Sequence, residues 1–359
     1  MVQEGWLPAG PAGMLGAANL AGYLAGAFGA GMVARRLGVI WTLRVCMLLA
    51  VAGFALCAVD GRNLGGFWWF LPWRVLAGFT GGVLMVLAGP AVQAVVPVSM
   101  RGLASGIVIT GVGLGIMSGA VLVPAMLAWG LGTVWLALAA AAALLAALSW
   151  TIWPDVPAPP AAARGGPALP NGTGTLLVIY GLAGLAGTAH MVFWPDFIAR
   201  GLGLGTQAGG LAWLGFGAAA SLGGVVFGRL ADWLGARRAM AVGVAVQVVS
   251  LVVPLLGTGT LALAVSTAGA GVTVLGITVL ALVRSRELGG VAAPRLWRLA
   301  TGVWGVTTAS AGFFLSWLLA STGSHFSLFA TGLAAALAAL AVALWPPTRG
   351  KTAPARVDS

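Results

Sequence analysis

Apolar positions in this chain neither alternate nor keep to one helical face. They run on in eleven stretches, at approximately 12–33, 39–59, 67–90, 103–126, 133–153, 173–193, 208–230, 239–256, 261–283, 299–320 and 326–345. About 20 apolar residues cover the roughly 30 Å of hydrocarbon in a bilayer, and in lipid every backbone polar group must be satisfied within its own segment. The pattern therefore predicts an all-α integral membrane protein of eleven transmembrane helices, five before a linker and six after it. In that linker, Pro154, Pro157, Pro159, Pro160, Pro167 and Pro170 forbid a continuous helix and favour an extended, solvated chain. The expected organisation is a five-helix bundle (1–153), the linker (154–172), a six-helix bundle (173–346) and a tail (347–359). No other connection is long enough to hold a soluble catalytic or nucleic-acid-binding domain.

Composition sharpens this picture. The chain is 60% hydrophobic and only 7% charged, against about 25% charged in soluble proteins. Its formal charge of +11 reports topology rather than a nucleic-acid partner, because cytoplasmic loops collect Lys and Arg. With the turn at Arg35 and Arg36 in the cytoplasm, that side also receives Arg101, Arg164, Arg229, Arg237, Arg238, Arg284, Arg286, Arg295, Arg298, Arg349, Lys351 and Arg356, and the other side only Arg62 and Arg200. This places the C-terminus in the cytoplasm and, by the same alternation, Met1 outside it. The protein is expected in a bacterial cytoplasmic (inner) membrane, with the lipid bilayer as its first partner.

A repeat accounts for the uneven helix count. A shift of 197 residues pairs Gly26 with Gly223, Gly31 with Gly228, Ala34 with Ala231, Leu37 with Leu234 and Gly38 with Gly235. In that register Met1 matches Ile198, and the helix at 173–193 has no first-half partner. The register implies a missing first helix, through a late start or a truncation.

The run Gly228-Arg229-Leu230-Ala231-Asp232-Trp233-Leu234-Gly235-Ala236-Arg237-Arg238 resembles the signature turn between the second and third helices of each half in the major facilitator superfamily. Arg74-Val75-Leu76-Ala77-Gly78 resembles that superfamily's fourth-helix arginine motif. Phe193-Trp194-Pro195-Asp196-Phe197-Ile198-Ala199-Arg200-Gly201-Leu202-Gly203, with Arg286-Glu287-Leu288 and Trp297, is similar to the bacterial YbfB/YjiJ-like group. The resemblance implies two bundles rocking about a midplane site. It also implies that Asp232 faces the N-terminus of the helix beginning near Leu103, beside Arg101, where unsatisfied amides carry partial positive charge.

The gating set that follows is Gly228, Asp232, Gly235, Arg237, Arg238 and Arg101, with first-half counterparts Gly31, Arg35, Arg36 and Gly38. Glycines 228 and 235 allow close packing and a tight exit, while Arg237 and Arg238 sit among lipid phosphates. Arg35 stands where the second half has aspartate, and a cation does not favour a positive helix end, so the two gates are expected to be unequal. A polar residue that merely ends a helix is the plainer account of Asp232.

Ionisable groups inside a bilayer are costly and point to function. Arg74, within its helix, is a candidate for an anionic or zwitterionic substrate or for proton coupling, against a structural role on a neighbouring carbonyl. Arg44 lies near a helix end and can snorkel. His190, near the outer end of its helix, is a candidate proton sensor or a tolerated interfacial residue. Asn19, Tyr23, Tyr180 and Gln247 are candidates to line a polar path, or are interhelical glue; Asp196 joins His190 as a coupling candidate. Every Asp and Glu is expected in turns or tails, which argues against a relay of buried carboxylates. Gly111, Gly115 and Gly119 are expected to let a neighbouring helix approach. Cys46 and Cys57, about 16 Å apart along one helix, cannot pair with each other. No metal site and no cofactor are indicated.

Two function classes and one remnant fit. The leading one is a secondary transporter of a small molecule by alternating access, with protons as a candidate coupling ion. A transport-inactive remnant is second. A membrane-embedded enzyme on lipid-linked substrates would need convergent acids or histidines at one membrane face, and seven acids and two histidines form no such cluster along the chain.

Overall fold

The computed structural model describes residues 6, 7, 9–157 and 168–345. Most of the proline-rich linker and the tail at 347–359, with Arg164, Arg349, Lys351 and Arg356, lie outside the described residues. Among those described, the chain forms eleven long α-helices: α1 (Ala9–Leu37), α2 (Val39–Cys57), α3 (Phe67–Val95), α4 (Arg101–Leu127), α5 (Leu131–Ser149), α6 (Thr173–Asp196), α7 (Gly205–Leu234), α8 (Ala236–Leu256), α9 (Thr260–Gly289), α10 (Ala293–Thr322) and α11 (His325–Leu344). They make ten unbroken apolar spans by length and composition, since Thr260–Thr322 carries both α9 and α10 across one short 3-10 turn. Each of these two helices is 30 residues long, enough for one crossing apiece.

Several helices run past the apolar stretch that predicts them. Asp196 closes α6, Asp232 lies in the last turn of α7 and Glu287 in that of α9. These three carboxylates are therefore helical and not in turns, because helices project beyond the hydrocarbon and carry polar residues there. After Asp196 the chain winds into a π turn, Phe197–Gly201, behind Pro195, which lacks the N–H that a regular helix would use.

The two halves repeat in conformation as well as in sequence. Gly38 and Gly235 adopt the same backbone, φ 80 and ψ 158 against φ 78 and ψ 148. That is a region essentially reserved for glycine, and it turns α1 into α2 and α7 into α8. Close packing also repeats. A Cβ on Gly26 of α1 would strike the carbonyl of Phe79 in α3, and one on Gly223 of α7 would strike that of Val272 in α9.

The halves meet along two seams. On one, α4 and α7 touch backbone to backbone: a Cβ on Gly102 would collide with the Gly228 carbonyl and one on Gly106 with the Gly224 carbonyl. On the other, Leu24 and Phe28 of α1 press on Gly305 and Gly302 of α10. A single buried cluster runs across both halves, from Ala27, Leu43 and Val83 to Phe227, Leu280 and Trp297. The glycines expected to make the α4 contact do not: nothing lies within 4 Å of a Cβ placed on Gly111, Gly115 or Gly119. The face that approaches α7 is offset from theirs and carries Gly102, Gly106 and Gly113.

Candidate functional site

The helix directions gather Arg35, Arg36, Arg101, Arg237, Arg238, Arg284, Arg286, Arg295 and Arg298 at one end of the bundle. At that end the signature turn meets the opposite half. Asp232 accepts two backbone hydrogen bonds from the first turn of α4, Gly102 N to Oδ1 at 2.9 Å and Leu103 N to Oδ2 at 3.0 Å. Both donors are among the amides a helix start leaves unsatisfied, and the helix dipole favours an anion there. The contact can form because Gly102 and Gly228 let the helices close.

Sequence reasoning missed the hub beside it, Gln93 of α3, which is fully buried. Its amide nitrogen donates to Ser105 Oγ at 2.6 Å, its backbone carbonyl accepts from Arg101 Nε at 3.2 Å, and its side-chain oxygen accepts from Arg286 Nη1 at 3.2 Å. Arg286 also reaches the Pro90 carbonyl at 3.3 Å, so α9 is tied to α3 as α7 is tied to α4. Glu287 accepts from Ala236 N at 3.0 Å and from Arg284 at 2.9 Å, capping α8. Between these groups lies a cavity of about 320 Å³ lined by Gln93, Arg101, Asp232, Arg286 and Glu287, among others. Arg237 and Arg238 are exposed, and Arg237 donates to the Trp345 carbonyl at 2.9 Å.

The first-half counterpart is built differently. Arg35 and Arg36 are exposed, and the guanidinium nitrogens of Arg35 and Arg298 flank Gly31, at 3.4 and 3.6 Å from where its Cβ would lie. No carboxylate among the described residues pairs with Arg35.

In the interior, Tyr180 is fully buried, donates to Thr278 Oγ1 at 3.2 Å, and stacks near Trp297 and Trp304 at 6.5 and 6.4 Å between ring centres. Trp297 also donates to the Met85 carbonyl of the other half at 3.4 Å. Gln247 is buried and donates to the Ala183 carbonyl at 3.0 Å. Tyr23, on α1, lies half-buried at the α1–α10 seam near Gly305.

Other candidates sit away from this path. Arg74 is half-buried, its guanidinium 5.6 Å over the ring of Trp135 in α5. Asn19 donates to the Arg74 carbonyl at 3.0 Å and so ties α1 to α3. His190 is 1% exposed, enclosed by the C-terminal half less than two turns before the end of α6; it contacts Ser266 Oγ at 2.9 Å between Trp194 and Phe329. Since Ser266 gives its own proton to the Ser250 carbonyl at 2.7 Å, His190 Nε2 is the donor. Asp196 lies at the opposite end of the bundle, paired with Arg200 and with His325 Nε2 at 2.8 Å. His325 had no motif to mark it. Arg44 donates to the Trp150 carbonyl at 2.9 Å and lies over the rings of Trp41 and Trp150.

Known proteins supply the remaining context. Residues 1–345 match a family model described as the uncharacterised MFS-type transporter YbfB. No curated protein matches by sequence. Among solved structures, the fucose:proton symporter FucP of E. coli superposes with a TM-score of 0.70 at 14% identity, over 93% of this chain and 90% of its own. The human organic anion transporter MFSD10 gives 0.74 at 16%, over 92% and 83%, and the proton:xylose symporter XylE gives 0.73 at 14%, over 90% and 84%. At these identities the likeness is one of fold.

Proposed function

We propose that this chain, which belongs to the MFS-type transporter family of YbfB, carries a small solute across a bacterial inner membrane by alternating access. Its two halves rock about the central interface, and the arginine-rich end, with the C-terminus, faces the cytoplasm. The observation that carries this reading is the pair of hydrogen bonds from Gly102 and Leu103 to Asp232. They join the halves through partly buried contacts at one end only, as a latch must, and they can break without opening a core. Hydrogen bonds to a charged acceptor contribute about 1.5–3 kcal/mol each when sheltered; for a rim site the lower figure serves for the pair, roughly a tenfold bias toward the closed end.

The test is thiol accessibility. In a background with Cys46 and Cys57 replaced, a cysteine at Ala231, on the wall of the 320 Å³ cavity, is expected to react about tenfold faster when Asp232→Asn is added. An unchanged rate would remove the latch from the mechanism.

Proton coupling enters through Asp196 and His325, where a carboxylate meets an imidazole at the end opposite the latch. FucP and XylE are described as proton symporters, which supports asking the question here. Solute uptake into vesicles should follow an imposed pH gradient, and His325→Asn should uncouple it; uptake indifferent to the gradient would leave facilitated diffusion. The enzyme reading loses ground because the acids and histidines are spread over both ends of the bundle and its interior. The packing of Arg74 over Trp135 supports a structural role for that arginine.

A further inference from the structure

Where α10 packs on α6, the C-terminal half carries a partly open cavity of about 10 Å³ whose walls include Tyr180, Gly184, Gly187, Gln247, Thr273 and Trp304. Gln247 is 3% exposed, and its Nε2 donates to the Ala183 carbonyl at 3.0 Å. That bond fixes the amide's orientation, because the flipped amide would set oxygen against oxygen. Its Oε1 is then left with no hydrogen-bond partner among the described residues, a costly state for a buried carbonyl.

The hydroxyl protons of the wall are already engaged. Thr273 donates to carbonyls of its own helix, Gly269 at 2.8 Å and Ala270 at 3.1 Å, and Tyr180 donates to Thr278. No charged side chain lines the cavity. What the wall offers is one strong unpaired acceptor beside the indole of Trp304 and the phenol ring of Tyr180.

Resting on the transporter reading above, we infer that this cavity is the contact point of the C-terminal half for the transported solute, and that the solute is small and uncharged. It presents a hydroxyl or amide N–H to Gln247 Oε1 and an apolar face to Tyr180 and Trp304. A full charge would lose its hydration here with no opposite charge to replace it. At about 10 Å³ the cavity holds about one water. The solute therefore enters when α10 moves away from α1, the seam on which Leu24 and Phe28 close.

Thiol chemistry tests this with defined probes. Thr273→Cys is made in a chain with Cys46 and Cys57 replaced by Ala, and the detergent-solubilised protein is treated with four methanethiosulfonates: 2-hydroxyethyl, methyl, anionic 2-sulfonatoethyl and cationic 2-(trimethylammonio)ethyl. Each rate is divided by that of a free small thiol with the same reagent. The hydroxyethyl reagent is expected to react about tenfold faster than either charged one. Adding Gln247→Leu is expected to lower the hydroxyethyl-to-methyl ratio about fivefold, the worth of one hydrogen bond. Ala183→Cys on the facing helix repeats the measurement if the first variant does not fold.

Charged reagents as fast as uncharged ones, no reaction with any reagent, or a ratio indifferent to Gln247→Leu would each overturn the assignment. Asp232→Asn run in parallel separates this inference from the one beneath it. A rate at position 273 that responds to Asp232→Asn without preference for uncharged reagents removes the site and leaves alternating access. The preference without the response removes the Asp232 latch and leaves the site.

Discussion

Gln93 and Asp232 do different work at the same seam. Asp232 uses its charge on the start of α4, whereas Gln93 shares its donor, its side-chain acceptor and its backbone carbonyl among three partners from both halves. Replacing Gln93 by Leu leaves Arg286 without its side-chain acceptor and Ser105 without its donor. The expected cost is about 2 kcal/mol of stability, read as a lowered thermal midpoint, where Asp232→Asn should shift accessibility more than melting. Equal effects on both readouts from the two variants would mean that neither is specific to gating.

Residues of this kind differ in how far they could be read from the chain. Asp232 was legible because its motif is local: the glycines, the aspartate and the cationic exit lie within eleven positions, and the repeat marks the glycines twice. Gln93, His325 and the pairing of Arg286 were not, since each depends on partners more than 100 residues away or on a helix whose rotation is not written in its own sequence. For the same reason the contacts of His190 with Ser266 and of Arg74 with Trp135 could not be read from the chain.

Among the elements, α4 shows how a glycine pattern can mislead. It carries glycine on more than one face, and spacing alone favours the regular series 111, 115, 119; the face that packs is 102, 106, 113. The difference is measurable. Gly106→Ala should separate α4 from α7 and cost about 1–3 kcal/mol, whereas Gly111→Ala meets nothing within 4 Å and should be neutral or stabilising by up to about 1 kcal/mol. Thermal melting of the two variants side by side decides it, and equal losses would mean that α4 is rotated from the orientation described. The eleven helices themselves were readable because continuous apolar runs of bilayer length have few alternatives. Their ends were less so, because nothing in an apolar count says how far a helix continues into the headgroup region.

For the molecule as a whole, the repeat and the charge placement fix a topology with both signature turns at one end. A reporter enzyme that works only outside the cytoplasm, fused after Trp345, is expected to be inactive, and active when fused after Asp60; the reverse would invert the molecule. The inequality of the two gates also belongs to this scale. Arg35→Asp supplies the first half with the carboxylate that the second half has at Asp232, facing the start of α10. It should reduce opening at the arginine-rich end by roughly tenfold and slow exchange, seen as protection of a thiol reporter at Ala231. Faster exchange would show that the first turn takes no part in closing.

The meeting of Arg35 and Arg298 beside Gly31 makes the α1–α10 junction sensitive to its ionic surroundings. Two guanidinium groups at a solvent-facing junction repel through a field that mobile ions weaken, and the screening distance shrinks from about 8 Å in physiological salt to about 3 Å at 1 M. The partly buried carboxylate-to-amide contact at Asp232 is an attraction held by direct hydrogen bonds and responds less. Concentrated salt should therefore calm the α1–α10 junction and favour its closure, so turnover becomes a function of ionic strength through the seam where α1 meets α10.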